Sequence, residues 1–390
     1  MKPLALTGVG VVSPLGIGRE AFFAALSDPK SAEARAFRTP AVLDAEKFRG
    51  AKVAEISDWD AKAYLGDKGL RNIDRLTTFL IVAARRCLED AGLKKDGVHL
   101  GPGGERIGIC SSTAYGSLDA ITELNLVAEL EDPRYINPAR FPNAVINAAA
   151  GYVSIWEDLR APNMTVVNGN CGGLDVVLSA ATHLAHRRGE AFLVGGGEVI
   201  TEPLYLAFQK LGIVGDGADG SGVHLGEGAA YVMAERTEDA VARGAKVLGE
   251  ITGYANTFGP PESEALVTGA SAATVEAALR AALRDAGVEA GQVDVVCGSR
   301  GGAAAVDDAE LEAVKRVFGA GAALAAPKRI FGETFGAGGA FGMAAVLAWM
   351  EGAPVGPMAV GEAPSRVATA VVLTVGYYGN VSAVVMRRPR

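Results

Sequence analysis

Cys171 is the residue whose type and surroundings most clearly favour covalent chemistry. It lies in the segment Asn168-Gly169-Asn170-Cys171-Gly172-Gly173, after a strand predicted at 164–167 and before a helix predicted at 174–186. The positive end of a helix dipole lowers the pKa of a nearby thiol and favours the thiolate, as at strand-to-helix turns that carry nucleophiles. Cysteines are also among the side chains buried most often. The pattern alone therefore predicts either a nucleophile or a core residue.

The histidines of the chain are not placed to assist this cysteine. They are His99, His183, His186 and His224. His183 and His186 lie roughly three helical turns beyond Cys171 on the same predicted helix, too far to reach its sulfur. Such an i,i+3 pair could bind a metal, but we interpret it as an exposed helix end. The four cysteines show no CxxC spacing, so we expect neither a metal nor a cofactor.

Alternating apolar strands and helices must position the cysteine turn. The predicted strands are 4–12, 107–111, 164–167, 191–195, 229–234, 293–297, 368–375 and 381–386. The predicted helices are 18–26, 71–91, 174–186, 274–286, 309–318 and 339–350. Residues 29–60 are predicted to form an irregular surface segment. This alternation is typical of an α/β protein with a parallel-type sheet that is covered on both faces.

One pattern occurs twice along the chain. Cys171-Gly172-Gly173 opens one predicted helix, and Gly336-Ala337-Gly338-Gly339 opens another. Each helix is followed by a strand and then by a second, paired strand. We therefore predict an internal duplication, with an N-terminal half at residues 1–245 that carries the cysteine turn and a C-terminal half at residues 246–390.

Charge and composition narrow the possible partners and the compartment. The formal net charge of -8 argues against nucleic acids and anionic membranes. Lys62, Lys68, Arg71 and Arg75 are close in sequence and predict either a basic patch for an acidic partner or an ordinary charged surface. Scattered cysteines without a disulfide pattern indicate the cytoplasm. We expect neither a signal peptide nor a membrane-spanning segment.

Several segments, taken in order and spacing, resemble β-ketoacyl-ACP synthases (ketosynthases) of the thiolase superfamily. They are LTGVGVVSPLGIGREAFFAAL, LRNIDRLTTFLIVAARRCLEDAGL, INPARFPNAVINAAAGYVSI, VNGNCGGLDVVLSAATHLAHRRGEAFLVGGGEV and GSGVHLGEGAAYVMAERTEDAVARGAKVLGEITGYANT. The resemblance covers almost the whole chain. It implies a thiolase fold, with two pseudo-twofold-related halves in a five-layered αβαβα arrangement. It also implies a dimer, because the family pairs its central sheets across a twofold axis.

The resemblance assigns roles around the cysteine. Cys171 matches the acyl-accepting nucleophile, Lys328 in APKRIFGE matches the pocket lysine, and Tyr377 in VGYYGN matches an aromatic gatekeeper. The backbone N–H groups of Cys171 and Tyr377 would form the oxyanion hole, with Gly379 in the same turn.

The resemblance also implies where substrates and partners would bind. Phe141, Asn143 and Ile146 match a P-N segment that lies near the dimer interface and the acyl tunnel. Acyl groups would arrive as thioesters of acyl carrier protein or coenzyme A.

The two catalytic histidines of the family are replaced in this chain. Ser299 stands in place of the histidine of an N-A-H-G-T turn, and the following AELEAVKRVFG secures the register. Glu333, five residues after Lys328, stands at the second histidine position. In the family these two imidazoles stabilise the enolate that forms when carbon dioxide leaves, and removal of one such donor typically costs roughly 3–4 kcal/mol. Standard decarboxylative condensation by this chain alone is therefore not expected.

The charge of Glu333 allows two interpretations. An ionised Glu333 beside the cysteine would repel a malonyl carboxylate and raise the pKa of Cys171. Alternatively, Glu333 turns away onto Lys328 or Arg300.

The chain-length-factor branch of the family, which lost catalysis and pairs with an active ketosynthase, resembles this chain in three segments. CGGLD is similar to the A-G-G-L-D turn that follows the replaced nucleophile in that branch. The segments around Ser299 and Glu333 resemble its histidine-less turns. The retained Cys171 is a departure, because well-known members often have glutamine in place of the cysteine.

We therefore consider three functions. The first is a chain-length-factor-like subunit that forms a heterodimer with a complete ketosynthase in fatty acid, polyene or polyketide synthesis. The second is an acyltransferase, thioesterase-like or non-standard condensing enzyme, in which Cys171 takes an acyl group and Glu333 acts as base. The third is a non-catalytic, acyl-binding homodimer.

Overall fold

A mixed β-sheet runs through the centre of the fold. The computed structural model describes residues 1–215, 222–260 and 269–389. The strands in this part of the chain are β1 (Leu4–Ser13), β2 (Gly16–Ile17), β3 (Lys94–Lys95), β4 (Val98–His99), β5 (Ile107–Ser112), β6 (Asn163–Val166), β7 (Ala191–Glu198), β8 (Gly228–Arg236), β9 (Gly249–Phe258), β10 (Val295–Cys297), β11 (Leu324–Ala325), β12 (Met358–Val360), β13 (Thr369–Val375) and β14 (Asn380–Arg387).

Helices cover both faces of this sheet. The α-helices of the described residues are α1 (Arg19–Leu26), α2 (Pro29–Arg35), α3 (Ala61–Leu65), α4 (Arg75–Asp90), α5 (Leu118–Leu130), α6 (Ala148–Glu157), α7 (Gly172–Ala185), α8 (Glu202–Lys210), α9 (Thr237–Ala242), α10 (Ala272–Ala286), α11 (Ala304–Phe318), α12 (Lys328–Phe331) and α13 (Gly338–Glu351). None of them is both long and apolar enough to cross a membrane.

The sheet consists of two halves with the same strand order and the same strand directions. The first half runs β1-β8-β7-β5-β6 and the second runs β9-β14-β13-β10-β11. In each half the first two pairings are antiparallel and the next two are parallel. A short antiparallel pairing of β1 with β9 joins the halves. This repeated strand order is what an internal duplication would produce. The boundary predicted after residue 245 falls between α9 and β9 and stays a prediction.

The prediction of a parallel-type sheet is wrong for the strands at the centre. β1 pairs with antiparallel neighbours on both sides, and β8 and β14 do the same. Helices bury both faces of these strands, so β1 and β8 are buried along their whole lengths. Burial on two faces produces a continuous apolar run whatever the direction of the neighbouring strands, and composition therefore could not separate the two cases.

The fold has five layers, and three hydrophobic cores lie between them. One core lies between α4, α6 and the outer face of the first half-sheet. A second lies between α10, α11 and the outer face of the second half-sheet. The third surrounds α7 and α13 between the two half-sheets. This αβαβα order confirms the predicted thiolase fold. Because α13 is enclosed on all sides, it is apolar around its whole circumference.

The segment at 29–60, predicted to be irregular, contains α2. Asp28 caps this helix by accepting a hydrogen bond from the Ser31 N–H, 3.0 Å away, and Pro29 occupies the first helical turn. An aspartate followed by proline is a recognised start signal for a helix. The helix itself is too short to show an apolar periodicity, so the sequence offered no second indication of a helix there.

The two central helices meet at glycines. A Cβ on Gly173 of α7 would lie 2.7 Å from Gly336 O and 3.1 Å from Gly339 N. A Cβ on Gly339 of α13 would lie 2.7 Å from Leu174 Cγ and 2.8 Å from Leu174 N. The N-terminal turns of α7 and α13 therefore approach backbone to backbone, and a side chain at either glycine would push them apart.

We predict that Gly173→Ala lowers the free energy of unfolding by about 1–3 kcal/mol, because an added methyl group would overpack a rigid backbone contact. Gly151→Ala in α6 is the matched control, since a Cβ there meets open space. In that helix the alanine should stabilise by up to about 1 kcal/mol. Urea unfolding of both variants measures the difference, and equal effects would contradict the close approach of α7 and α13.

Candidate active site

The cysteine turn is a 3₁₀ turn at Gly169–Cys171 that joins β6 to α7. Cys171 is fully buried, and its Sγ donates a weak hydrogen bond to Thr374 O of β13 at 3.6 Å. The Cys171 N–H donates to Asn168 O at 3.1 Å within the turn. One of the two predicted oxyanion-hole donors is therefore already engaged.

The thiol is held in its neutral form. Burial, and next the carboxylate of Asp175, raise the pKa of Cys171 to about 12, although Lys328 and hydrogen bonds from Thr374 and Ser382 oppose the rise. This is the reverse of the lowered pKa that the helix dipole predicted. The free energy needed to remove the thiolate from water is larger than the stabilisation that the N-terminus of the helix provides. The carboxylate that adds to the rise is Asp175, which lies one helical turn from the cysteine.

Asp175 ties the cysteine turn to the second half of the chain. Its oxygens accept hydrogen bonds from Asn168 Nδ2, Tyr254 Oη (2.8 Å), Asn256 Nδ2 (3.2 Å) and Ser382 Oγ (2.5 Å). Tyr254 and Asn256 lie on β9, and Ser382 lies on β14. Sequence reasoning did not single out Asp175, although an acidic residue four positions after the cysteine was visible.

The structure brings Ser299, Lys328 and Glu333 together. Lys328 Nζ lies 3.3 Å from Ser299 Oγ and 2.7 Å from Glu333 Oε2. All three side chains are buried. The two positions that match family histidines thus converge on one lysine, and an ion pair occupies the site. Arg300, the other candidate partner of Glu333, instead donates to Asp307 O at 2.7 Å.

The carboxylate of Glu333 has partners on both oxygens. Tyr377 Oη donates to Oε2 at 3.1 Å, beside Lys328, and the Phe335 N–H donates to Oε1 at 2.8 Å. Burial and the adjacent Glu333 raise the pKa of Tyr377 well above its usual value. The predicted gatekeeper is therefore a neutral donor that anchors Glu333. Its ring also packs with Phe208 and Phe335.

Gly379 serves the chain turn next to Tyr377. Its φ is +94°, and a Cβ there would lie 2.0 Å from Gly259 O. Its carbonyl accepts a hydrogen bond from the Gly259 N–H at 3.0 Å. These contacts explain a glycine at this position by backbone geometry, and they leave its proposed part in the substrate pocket a prediction.

The residues predicted near an interface differ in burial. Phe141, in a 3₁₀ turn, is 60% exposed, and Ile146 is 38% exposed. Asn143 is buried between them, and its Nδ2 donates to Asn72 O at 2.8 Å. Asn143 is thus a local anchor that holds the turn on which Phe141 faces outward.

The predicted basic patch is smaller than the sequence indicated. Lys62, Lys68 and Arg71 are exposed. Arg75, however, points inward and binds the buried Glu227 at 2.5 Å. Glu227 also accepts a hydrogen bond from the Ile56 N–H, so Arg75 has a structural role.

A cavity of about 690 Å³ has Lys328 in its wall. Its wall includes Phe37, Lys52, His224, Arg300, Lys328 and Arg329. Cys171 is not among its lining residues. The His224 ring stacks on Phe37 with centroids 4.4 Å apart, and His224 O accepts the Glu333 N–H at 2.8 Å.

The other histidines lie away from the cysteine. His183 stacks on Phe192, His186 Nδ1 lies 2.9 Å from Thr182 O, and His99 Nε2 lies 2.9 Å from Glu157 O. The described residues contain no group of three or more His, Cys, Asp or Glu side chains arranged to hold a metal ion.

Comparisons with known proteins agree with this fold. Family models match the Beta-ketoacyl synthase N-terminal domain over residues 1–240 and the C-terminal domain over residues 248–360. The chain therefore belongs to the β-ketoacyl synthase family of the thiolase superfamily.

Relatives include both condensing enzymes and polyketide synthase subunits. The 3-oxoacyl-[acyl-carrier-protein] synthase 2 of Coxiella burnetii is 32% identical over 363 residues, covering 87% of this chain and 83% of the relative. The tetracenomycin polyketide synthase ketoacyl synthase beta subunit of Streptomyces glaucescens is 30% identical over 418 residues, covering 99% and 98%. The solved ishigamide ketosynthase/chain length factor has a TM-score of 0.87 at 23% identity, with both chains covered completely, which supports the fold.

We predict that Lys328→Met lowers the free energy of unfolding by about 3–5 kcal/mol, because it leaves Glu333 as a buried charge without its cation. In the double variant Lys328→Met/Glu333→Gln, the neutral glutamine still accepts from Tyr377 and Phe335, so most of the loss should be recovered. Urea unfolding of the two single variants and the double variant gives the coupling. Additive losses would contradict a buried ion pair.

A second buried carboxylate supports the Ser299 turn. Glu310 Oε1 accepts the Ser299 N–H at 2.5 Å, and Oε2 has no hydrogen-bond partner among the described residues. Burial raises the pKa of Glu310 from 4.5 to about 7. The folded protein therefore holds this proton more tightly than the unfolded chain does.

The proton on Glu310 makes stability depend on pH. A raised carboxyl pKa gives full stability below pH 4.5, and stability falls as pH rises toward about 7. The contribution of this group should fall by about 1.4 kcal/mol for each pH unit inside that window. Glu310→Gln keeps the acceptor for Ser299 and cannot titrate. Urea unfolding from pH 5 to 8 should show wild type losing stability relative to the variant, and a constant difference would refute the assignment.

Proposed function

We propose that this chain is a non-condensing, chain-length-factor-like subunit that pairs with a complete ketosynthase in fatty acid, polyene or polyketide synthesis. The observation that carries the proposal is the Lys328–Glu333 ion pair at a position where the family has an imidazole. Ser299, at the other such position, contacts the same lysine.

Condensation in the family uses two imidazole donors, and we propose that Ser299 and Glu333 stand in their places here. In the family, two imidazoles donate to the thioester oxygen while the enolate forms. Glu333 is bound to Lys328, Tyr377 and the Phe335 N–H as an acceptor, so its carboxylate has no proton to donate. Each missing donor is worth roughly 3–4 kcal/mol of transition-state stabilisation. The ammonium of Lys328 offsets the negative charge of Glu333, so an uncharged acyl thioester could lie nearby.

Acyl transfer through Cys171 is the less favoured function. The sulfur is fully buried and bonded to Thr374 O. Burial keeps its pKa near 12, so almost none of it is thiolate at neutral pH. Glu333 Oε2 already accepts hydrogen bonds from Lys328 and Tyr377.

The surface around β6 fits a partner subunit. β6 ends the strand order of the first half among the described residues, so one edge is open for pairing. Exposed apolar side chains lie on and near this edge; they are Phe141, Ile146, Ile155, Met164, Val167 and Leu178. Apolar patches of this kind mark protein interfaces. We propose that a catalytic ketosynthase subunit, or a second copy of this chain, covers it, and that acyl carrier protein delivers the thioester.

We predict that co-expression with a histidine-complete ketosynthase of the same organism yields a one-to-one complex. Met164→Arg should weaken the complex at least tenfold, because it places a charge on the β6 edge. Val241→Arg is the control, since Val241 is exposed at 64% on α9. Size-exclusion chromatography with mass measurement gives the stoichiometry. A complex that is equally sensitive to both variants would contradict the β6 interface.

The purified chain should not release carbon dioxide from a malonyl thioester of acyl carrier protein. The same assay with the complex measures condensation by the partner. Carbon dioxide release by this chain alone would overturn the proposed function. So would a stable homodimer that forms no complex with any histidine-complete ketosynthase tested.

A further inference from the structure

The elbow is the strand-to-helix connection at residues 168–173, which contains the cysteine turn. Its strained residue is Gly169. Its φ is +52°, in the left-handed region that side chains disfavour. Cys171 has ordinary helical angles, φ -82° and ψ -21°. The residue that directly follows the strained position, at the head of the turn, is therefore Asn170. In the second half, Phe335 (φ +41°) opens the corresponding turn before α13.

The side-chain nitrogen of Asn170 has no hydrogen-bond partner in the described part of the chain. Asn170 is 3% exposed, so this Nδ2 is a buried donor. Buried donors are almost always bonded, so one without a partner calls for an explanation. The turn at Gly169–Cys171 contacts the turn at Phe335–Ala337. Thr334 Oγ1, next to that second turn, is also buried and has no partner among the residues that the structure describes. Unfilled hydrogen-bonding capacity on two neighbouring turns is what a ligand oxygen would satisfy.

The next three residues of the elbow face other elements. Cys171 points its sulfur at Thr374 O of β13. A Cβ on Gly172 would meet Ser112 Oγ of β5, and one on Gly173 would meet Gly336 O before α13. Successive residues of a helical turn point about 100° apart. Asn170 therefore points in a direction that residues 171, 172 and 173 do not take.

We propose that Asn170, and not Cys171, occupies the ligand-facing position of the elbow and donates its carboxamide N–H to the carbonyl oxygen of a bound acyl thioester. Cys171 is then a wall residue that takes no acyl group. The thioester as ligand rests on the proposed function, whereas the placement of Asn170 rests on the geometry of the turn alone.

The sequence register agrees with this placement. CGGLD aligns with the A-G-G-L-D turn that follows the replaced position. That alignment puts Cys171 at the alanine and Asn170 at the replaced position. An amide then stands where an amide is also found in the chain-length-factor branch, so the retained cysteine is no longer a departure from that branch.

Alkylation of the full-length chain tests the placement. Wild type, Asn170→Cys and Asn170→Cys/Cys171→Ser are treated with iodoacetamide under native conditions, and the label is mapped by peptide mass spectrometry. We expect residue 170 to react in both variants at least tenfold faster than Cys171 reacts in wild type. Labelling of Cys171 in wild type, or no labelling at residue 170 in the variants, would overturn the proposal.

A second measurement covers the possibility that the cysteine variants fold poorly, which thermal unfolding would reveal. Binding of an acyl-pantetheine amide is measured by calorimetry for Asn170→Ala and Cys171→Ala. Loss of one hydrogen bond should weaken binding about tenfold for Asn170→Ala only, and equal effects would refute the proposal. Neither result depends on the partner ketosynthase, so failure here is distinguishable from failure of the heterodimer.

Discussion

The backbone contact between the N-terminal turns of α7 and α13 is the constraint on which the rest of the structure depends. Gly173 lies against Gly336 and Gly339 with no room for a Cβ, so the two halves approach each other backbone to backbone at this point. The cysteine turn and the segment that carries Glu333 each lead into one of these helices. The turn at Gly169–Cys171 therefore contacts the turn at Phe335–Ala337, although more than 150 residues separate them in sequence.

At this junction lies the ion pair of Lys328 and Glu333, at a position where the sequence resemblance predicts an imidazole in the family. Burial of a charge is costly unless it is paired and fully hydrogen-bonded. Glu333 meets that condition through Lys328, Tyr377 and the Phe335 N–H. These contacts occupy both oxygens of the carboxylate. In the function that we propose, the contacts that make the buried charge tolerable also account for the absence of condensation.

The sulfur of Cys171 illustrates how position in the fold outweighs residue type. A helix terminus favours a thiolate only where water or a cation also supports the charge. Here the sulfur is buried between α7 and β13. Asp175 lies one helical turn away and accepts hydrogen bonds from four side chains. One residue earlier, the buried Nδ2 of Asn170 has no hydrogen-bond partner among the described residues, and we propose that Asn170 rather than Cys171 meets a ligand.

The sequence by itself determined the family, the fold with its two halves and the order of most elements, and it predicts that Ser299 and Glu333 replace two family histidines. These features depend on local patterns and motif order, which are written along the chain. Three matters were decided only by tertiary structure: the antiparallel strands at the sheet centre, the partner of Glu333, and the pKa of Cys171. Strand direction is hidden when both faces are buried, and a charge or a thiol takes its protonation from neighbours that only folding brings near.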